Sequence, residues 1–223
     1  MRIIESDLNI NVDLAENKPV CLVVENRKCY SDLLNQLWLM DIGDVNDIRI
    51  SENEDELKFS KIGSVILNPY LLDANDKKIL NRIYQEINDI AINDNVNETL
   101  KIKEQIISYM ENLINSVSYP LMYNLDFDIT VLLKLLSTKI DDNCDSLLER
   151  IISYVKLYHQ VLSTKLFIFV GLKLYLSDDD IVSLYENLKY EDVYLLDIEN
   201  KQYGILEYEK TFIIDDDNCI IDV

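Results

Sequence analysis

Apolar residues recur along this chain in two rhythms, and the change from one to the other marks a change of architecture. Lys165-Leu166-Phe167-Ile168-Phe169-Val170 is a short unbroken run rich in β-branched and aromatic side chains, the pattern of a strand covered on both faces. Ser177, followed by Asp178, Asp179 and Asp180, predicts a helix start, because the free amides of a first turn favour oxygen acceptors and negative charge. Ile181, Leu184, Tyr185 and Leu188 give that helix its apolar face, and Val193 to Ile198 is a second strand. Strand, helix and strand in close succession make a βαβ unit, which requires a parallel sheet.

Upstream, Pro19 to Glu25 reads as another buried strand, followed by a helix from Ser31 to Met40 with Leu33, Leu34, Leu37, Trp38 and Met40 on its apolar side. Asn9 to Asp13 alternates weakly. Asp47 to Lys61 predicts edge strands around an acidic turn, Ser64 to Leu67 another short strand, and Asn68-Pro69 closes the region, since a residue before proline leaves the helical basin. From Asp73 the period becomes helical. Ile79, Ile83, Ile87 and Ile90 form one stripe; after a polar break at 93–97, Leu100, Ile106, Ile107, Met110, Leu113 and Ile114 form a second. A third helix is expected from Asp128 and a fourth from Cys144 to Leu162. Beyond Gly204, strand material returns at Ile205-Leu206, Thr211 to Ile214 and Cys219 to Ile221. The pattern predicts an α/β fold: a parallel-sheet head in two halves, 1–72 and 164–223, with an inserted α-helical leg at 73–163.

With 223 residues and 48% hydrophobic composition, the chain can bury a core. Its apolar runs stop well short of the roughly 20 residues that cross a bilayer, and the N-terminus has no signal-peptide pattern, so a cytoplasmic protein away from membranes is expected. Four scattered cysteines (Cys21, Cys29, Cys144, Cys219) and one histidine offer no zinc spacing and read as reduced thiols. The net charge is −20. Residues 1–72 carry 7 basic and 13 acidic groups, 73–143 carry 7 and 12, and 144–223 carry 7 and 16. No third is basic, so charge alone argues against nucleic acid.

Candidate chemistry is sparse. The segment Glu25-Asn26-Arg27-Lys28-Cys29-Tyr30, where a nucleotide-binding α/β fold would carry a glycine-rich phosphate loop, holds no glycine, which excludes a working loop and a bound nucleotide. Arg27 and Lys28 remain as point charges for a phosphate, or as a solvated turn. His159, without a nucleophile motif, reads as structural. In Asn124-Leu125-Asp126-Phe127-Asp128, alternate residues of an extended segment place Asn124, Asp126 and Asp128 on one side, an oxygen set suited to calcium. It is not an EF-hand, since Ile129 stands at the sixth position and Leu135 at the twelfth; capping of the next helix by Asp128 is the other reading. Asp141, Asp142, Asn143 and Asp145 are further ligands or caps. Lys101, Lys103, Lys134 and Lys139 lie on or beside the expected leg helices.

The order of these pieces resembles a known family. Cys21–Glu25 with its glycine-free turn, the helical insertion with Leu125-Asp126-Phe127-Asp128-Ile129-Thr130 and Leu132-Leu133-Lys134-Leu135-Leu136, then Lys165 to Val170 and Tyr175-Leu176-Ser177, are similar to the Csn-type accessory protein of type II-A CRISPR systems, in its short form. The resemblance implies a degenerate P-loop-NTPase-like head and a helical leg. It implies a homotetrameric ring, lined with lysines, that threads double-stranded DNA by its ends. It further implies calcium ions that stabilise the ring, and non-enzymatic work in spacer acquisition with the integrase proteins and the RNA-guided nuclease. Placed by position, Lys101, Lys103, Lys134 and Lys139 are expected at the hole, then Arg27 and Lys28, with Asn124, Asp126 and Asp128 at the metal. An acidic protein-binding scaffold with weak DNA contact and a divergent nucleotide hydrolase are the alternatives.

Overall fold

A computed structural model describes residues 1–8, 10–15, 18–124, 127–217 and 219–222. In chain order it holds β1 (Arg2–Glu5), β2 (Ile10–Asp13), β3 (Val20–Val24), α1 (Arg27–Ile42), β4 (Arg49–Glu52), β5 (Asp55–Glu56), α2 (Phe59–Ile62) and β6 (Gly63–Ile66). There follow α3 (Lys77–Asn93), α4 (Val96–Asn115), α5 (Ile129–Leu135), α6 (Leu147–Leu162), β7 (Leu166–Val170), α7 (Asp178–Leu188), β8 (Tyr194–Glu199), β9 (Lys210–Ile214) and β10 (Ile220–Asp222). The chain divides into two compact units, Met1–Ala74 with Asp142–Val223, and Asn75–Asp141.

The larger unit is mixed α/β around a six-stranded sheet of order β10-β9-β3-β8-β7-β6, in which all neighbours are parallel except β10 on β9. Every residue of β3, β7 and β8 is buried, which explains why those runs do not alternate. Side chains on alternate faces nevertheless go to different places. Leu22, Ile168, Leu196 and Phe212 join a core with Leu33 and Leu37 of α1, and with Ile3, Val12 and Ile50 of a second, antiparallel sheet of order β2-β1-β4-β5. The other face carries Cys21 and Val23, and in register beside them on β8 stand Asp197 and Glu199.

Several elements differ from the sequence expectation. Helix α1 starts at Arg27 rather than Ser31, because the Asn26 side chain caps it, accepting from the Lys28 and Cys29 amides at 3.0 and 3.1 Å. Arg27 and Lys28 are therefore first-turn helical residues and not a loop. Strand β1 has no clear alternation because a buried acid, Glu5, sits on its inward side. Ile205-Leu206 is not a strand; the Leu206 amide turns back to Glu209 Oε1 at 3.4 Å. Helix α6 starts at Leu147 behind Ser146, whose hydroxyl accepts from the Glu149 amide at 3.1 Å, and packs on α7 within the larger unit.

The smaller unit is all helical and is held by polar clamps. Thr99 Oγ1 donates to the Ala91 carbonyl at 2.8 Å across the α3–α4 turn, and Asn88 Oδ1 accepts from the Ile129 amide at 3.1 Å to seat α5 on α3. The Asn75 amide bonds both backbone groups of Ile140, at 3.1 and 2.8 Å. Apolar burial is slight: of the 20 residues of α4 only Thr99 is buried, and α5 buries none.

Candidate functional site

The leg lysines all belong to the helical unit. Lys101 lies exposed along a shallow groove of α4 with Glu104, Gln105, Ser108, Tyr109 and Asn112. Lys103, two residues on, projects elsewhere on the helix, with its Nζ 5.5 Å from the Phe127 ring centroid. Lys134 sits in the last turn of α5 and Lys139 just beyond it, both exposed. None of the four forms an ion pair among the described residues. That leaves each ammonium available to another anion.

Asp128 caps α5, as its position before Ile129 predicts. Its Oδ1 accepts from the Val131 amide at 3.3 Å and from the Thr130 hydroxyl. The Thr130 bond is the main reason its carboxyl is held below the ordinary value, so it stays a carboxylate. Both of these bonds fall on Oδ1, and the Thr130 amide also favours the charged form. Asn124 is exposed, and Asp126, the third expected ligand, lies outside the described residues. Elsewhere, Glu5, Asp7 and Asp47 bring carboxylate oxygens within 4.8 Å of one another. Glu5 is already bonded by the Asp7 and Leu8 amides and Asp47 by Gln36, so that group is accounted for as turn and helix anchoring.

Arg27 lines a crevice of about 500 Å³ at the C-terminal ends of β3 and β8, with Val24, Glu25, Tyr30, Asn200 and Lys201. A phosphate-binding α/β fold uses the amides of the following helix here. In this chain Asn26 Oδ1 takes the amides of Lys28 and Cys29. His159 is likewise occupied: its Nδ1 lies 2.9 Å from the Thr164 carbonyl at the end of α6. All four cysteines are free thiols, and burial pushes Cys21 far above its ordinary value. No helix among the described residues is long and apolar enough to cross a membrane.

Beneath the crevice lies a nest of buried charge that the strand patterns do not reveal. Lys173, in a helical turn Leu172–Leu174 after β7, reaches Glu209 at 2.5 Å, with the two side chains 3% and 0% exposed. Burial, the largest single influence, would lower the Lys173 ammonium, but Glu209, Cys21 and Asp197 together outweigh it and the group stays above its ordinary value. Tyr185 of α7 donates to Glu209 Oε2 at 3.2 Å. Asp197 and Glu199 accept from the amides of Leu172 and Lys173 at 3.2 and 2.7 Å. The only sequence signal was two acids, two residues apart, closing an otherwise apolar strand.

A family model described as CRISPR-associated protein (Cas_Csn2) matches residues 43–218. The CRISPR-associated protein Csn2 of Streptococcus agalactiae is 24% identical over 210 residues, which cover 90% of this chain and 89% of that protein. The family match begins after α1 and extends through the helical unit and across β7, β8 and β9. On that match the chain belongs to the Csn2 family of CRISPR-associated proteins.

Proposed function

We propose that this protein binds the ends of double-stranded DNA without sequence preference, as a calcium-stabilised homotetrameric ring, during the acquisition of new CRISPR spacers. One observation supports the assembly above others: α4 and α5 together bury a single residue, while Leu100, Met110, Leu113, Leu135 and Leu136 stand exposed on them. Helices of this length draw most of their stability in proteins from packing an apolar face, and these need a partner. Further copies of the same chain would supply it. The lysines of the same unit, Lys101, Lys103, Lys134 and Lys139, would line the passage and meet phosphates, with Arg27 and Lys28 as secondary candidates for phosphate contact. The unit Asn75–Asp141 carries 7 basic and 10 acidic residues, so it contributes little of the net charge of −20, and most of the acidity belongs to the other unit.

Calcium at Asn124, Asp126 and Asp128 would offset carboxylate charge near the DNA path, and the ionised Asp128 suits that role. The head is read as a nucleotide-binding fold that has lost its phosphate cradle, since Asn26 fills the amide site of α1. The protein would then work by enclosure in the cytoplasm, alongside the integrase proteins and the RNA-guided nuclease, and not by turnover.

Gel filtration with and without calcium, followed by binding of linear and closed circular DNA, tests the reading. A calcium-supported tetramer that retains only linear DNA is expected. If Lys134 meets one phosphate per protomer, Lys134→Ala removes four contacts and flattens the slope of log affinity against log salt by about 3–4. Equal retention of both topologies would eliminate threading. No retention at low salt would favour a protein-binding scaffold, and nucleotide turnover above background would favour an enzyme.

A further inference from the structure

We propose that Asp197 and Glu199 share one proton at neutral pH and so latch the helical turn Leu172–Leu174 over the end of the parallel sheet, the latch loosening as the pair ionises in alkali. The two acids stand on one face of β8 and are 3% and 0% exposed. Each uses one oxygen to accept an amide of the turn, from Leu172 and from Lys173. The remaining oxygens, Asp197 Oδ2 and Glu199 Oε2, are buried with no hydrogen-bond partner among the described residues.

Charge decides what fills the gap. The groups facing the pair are Cys21 from β3, Tyr30 from α1, Lys173 from the turn, Tyr185 from α7 and Glu209 ahead of β9. Tyr175 and Tyr203 act on Tyr30, and the Tyr203 hydroxyl is also buried with no hydrogen-bond partner among the described residues. Lys173 pairs its ammonium with Glu209 and offsets only part of the charge of the pair, so two buried carboxylates would carry a net charge that a protein interior disfavours strongly. One proton between the two free oxygens makes one a donor and the other an acceptor and removes half the charge. Burial first, and the neighbouring Glu199 second, raise the Asp197 carboxyl well above its ordinary value; burial likewise raises Glu199. A metal ion is the poorer occupant. Glu209 does not converge with the pair; among the described residues Glu5, Asp7 and Asp47 are the carboxylates close enough to share an ion as three.

The geometry of the turn fits a latch. Gly171 opens it at φ +71°, where a Cβ would lie 3.0 Å from Leu174 Cδ1, and Leu172 and Lys173 then point their amides down at the acids. Leu174 and Tyr175 face outward, and the Tyr175 ring meets Tyr70 edge-on at 5.7 Å. Because the pair is raised in the folded state, its contribution is full below the ordinary carboxylate range and is lost as pH rises through the raised value.

Asp197→Asn is the test, since an amide can donate to Glu199 while its oxygen still accepts from Leu172. With unfolding followed by the single tryptophan, Trp38, the wild-type Tm is expected to fall with alkali by roughly 3–5 °C per pH unit more than that of Asp197→Asn. Parallel pH profiles would overturn the proposal. Infrared spectra of the wild type at pH 7 should contain the carbonyl stretch of a protonated buried carboxyl that Asp197→Asn lacks; its absence from the wild type would also overturn it. So would stabilisation of chelator-treated wild type by calcium or magnesium that disappears in Asp197→Asn, because an ion would then stand where the proton is placed.

Discussion

Removing the Lys173 ammonium should unfold the larger unit far more readily than removing the whole ion pair. Lys173 and Glu209 are 3% and 0% exposed and 2.5 Å apart. In Lys173→Met the methylene stem is replaced by a similar volume, but Glu209 keeps only the Tyr185 hydroxyl at 3.2 Å, the Leu206 amide at 3.4 Å and the Thr211 hydroxyl at 3.5 Å. Stranding a buried charge in this way costs about 3–5 kcal/mol, or a Tm fall of about 6–20 °C for a chain of this size. Adding Glu209→Gln to Lys173→Met removes the stranded charge and should recover most of the loss, because a neutral buried group keeps its hydrogen bonds without the ion's desolvation cost. Urea unfolding read by Trp38 fluorescence measures both. A loss below about 1 kcal/mol, or no rescue by the second substitution, would show that the pair is not the desolvated contact described.

Asn26→Ala should destabilise the larger unit by about 1 kcal/mol in urea unfolding, with Asn26→Asp close to wild type, since either oxygen-bearing side chain can accept the α1 amides. In the helical unit, Met110→Glu with Leu113→Glu should abolish self-association in sedimentation while leaving the Trp38-reported transition unchanged, because neither residue is buried in the protomer.

Much of the frame could be read from the residues. The run Lys165 to Val170 is β7 but for its first residue, and Ser177 with Asp180 forms the reciprocal cap that an acidic first turn predicts. Asp128 caps α5 where its spacing put it. These are local signals, decided by neighbours in sequence. What was illegible depends on distance. Lys173 looks like a solvated turn residue until Glu209, 36 residues on, is found against it. Asp197 and Glu199 look like the polar end of a strand until the turn at Leu172 and Lys173 closes over them. The start of α1 was missed for a nearer reason: Asn26 and Ser31 can each cap a helix, and the strand before Asn26 decides which one does.

The two ends of this chemistry explain each other. An open α/β sheet offers ligands its C-terminal edge, where helix amides and strand-end carboxylates are left unsatisfied. Here the α1 amides go to Asn26, and Asp197 and Glu199 receive the amides of the turn that follows β7. These amides and carboxylates are spent on the fold itself. The helical unit is the reverse case: its polar clamps are satisfied, but much of its apolar surface is exposed, and Lys101, Lys103, Lys134 and Lys139 form no ion pair among the described residues. On the proposed assembly, recognition would belong to the surface that folding leaves incomplete, and association between copies would complete it, because each copy brings the same unburied face.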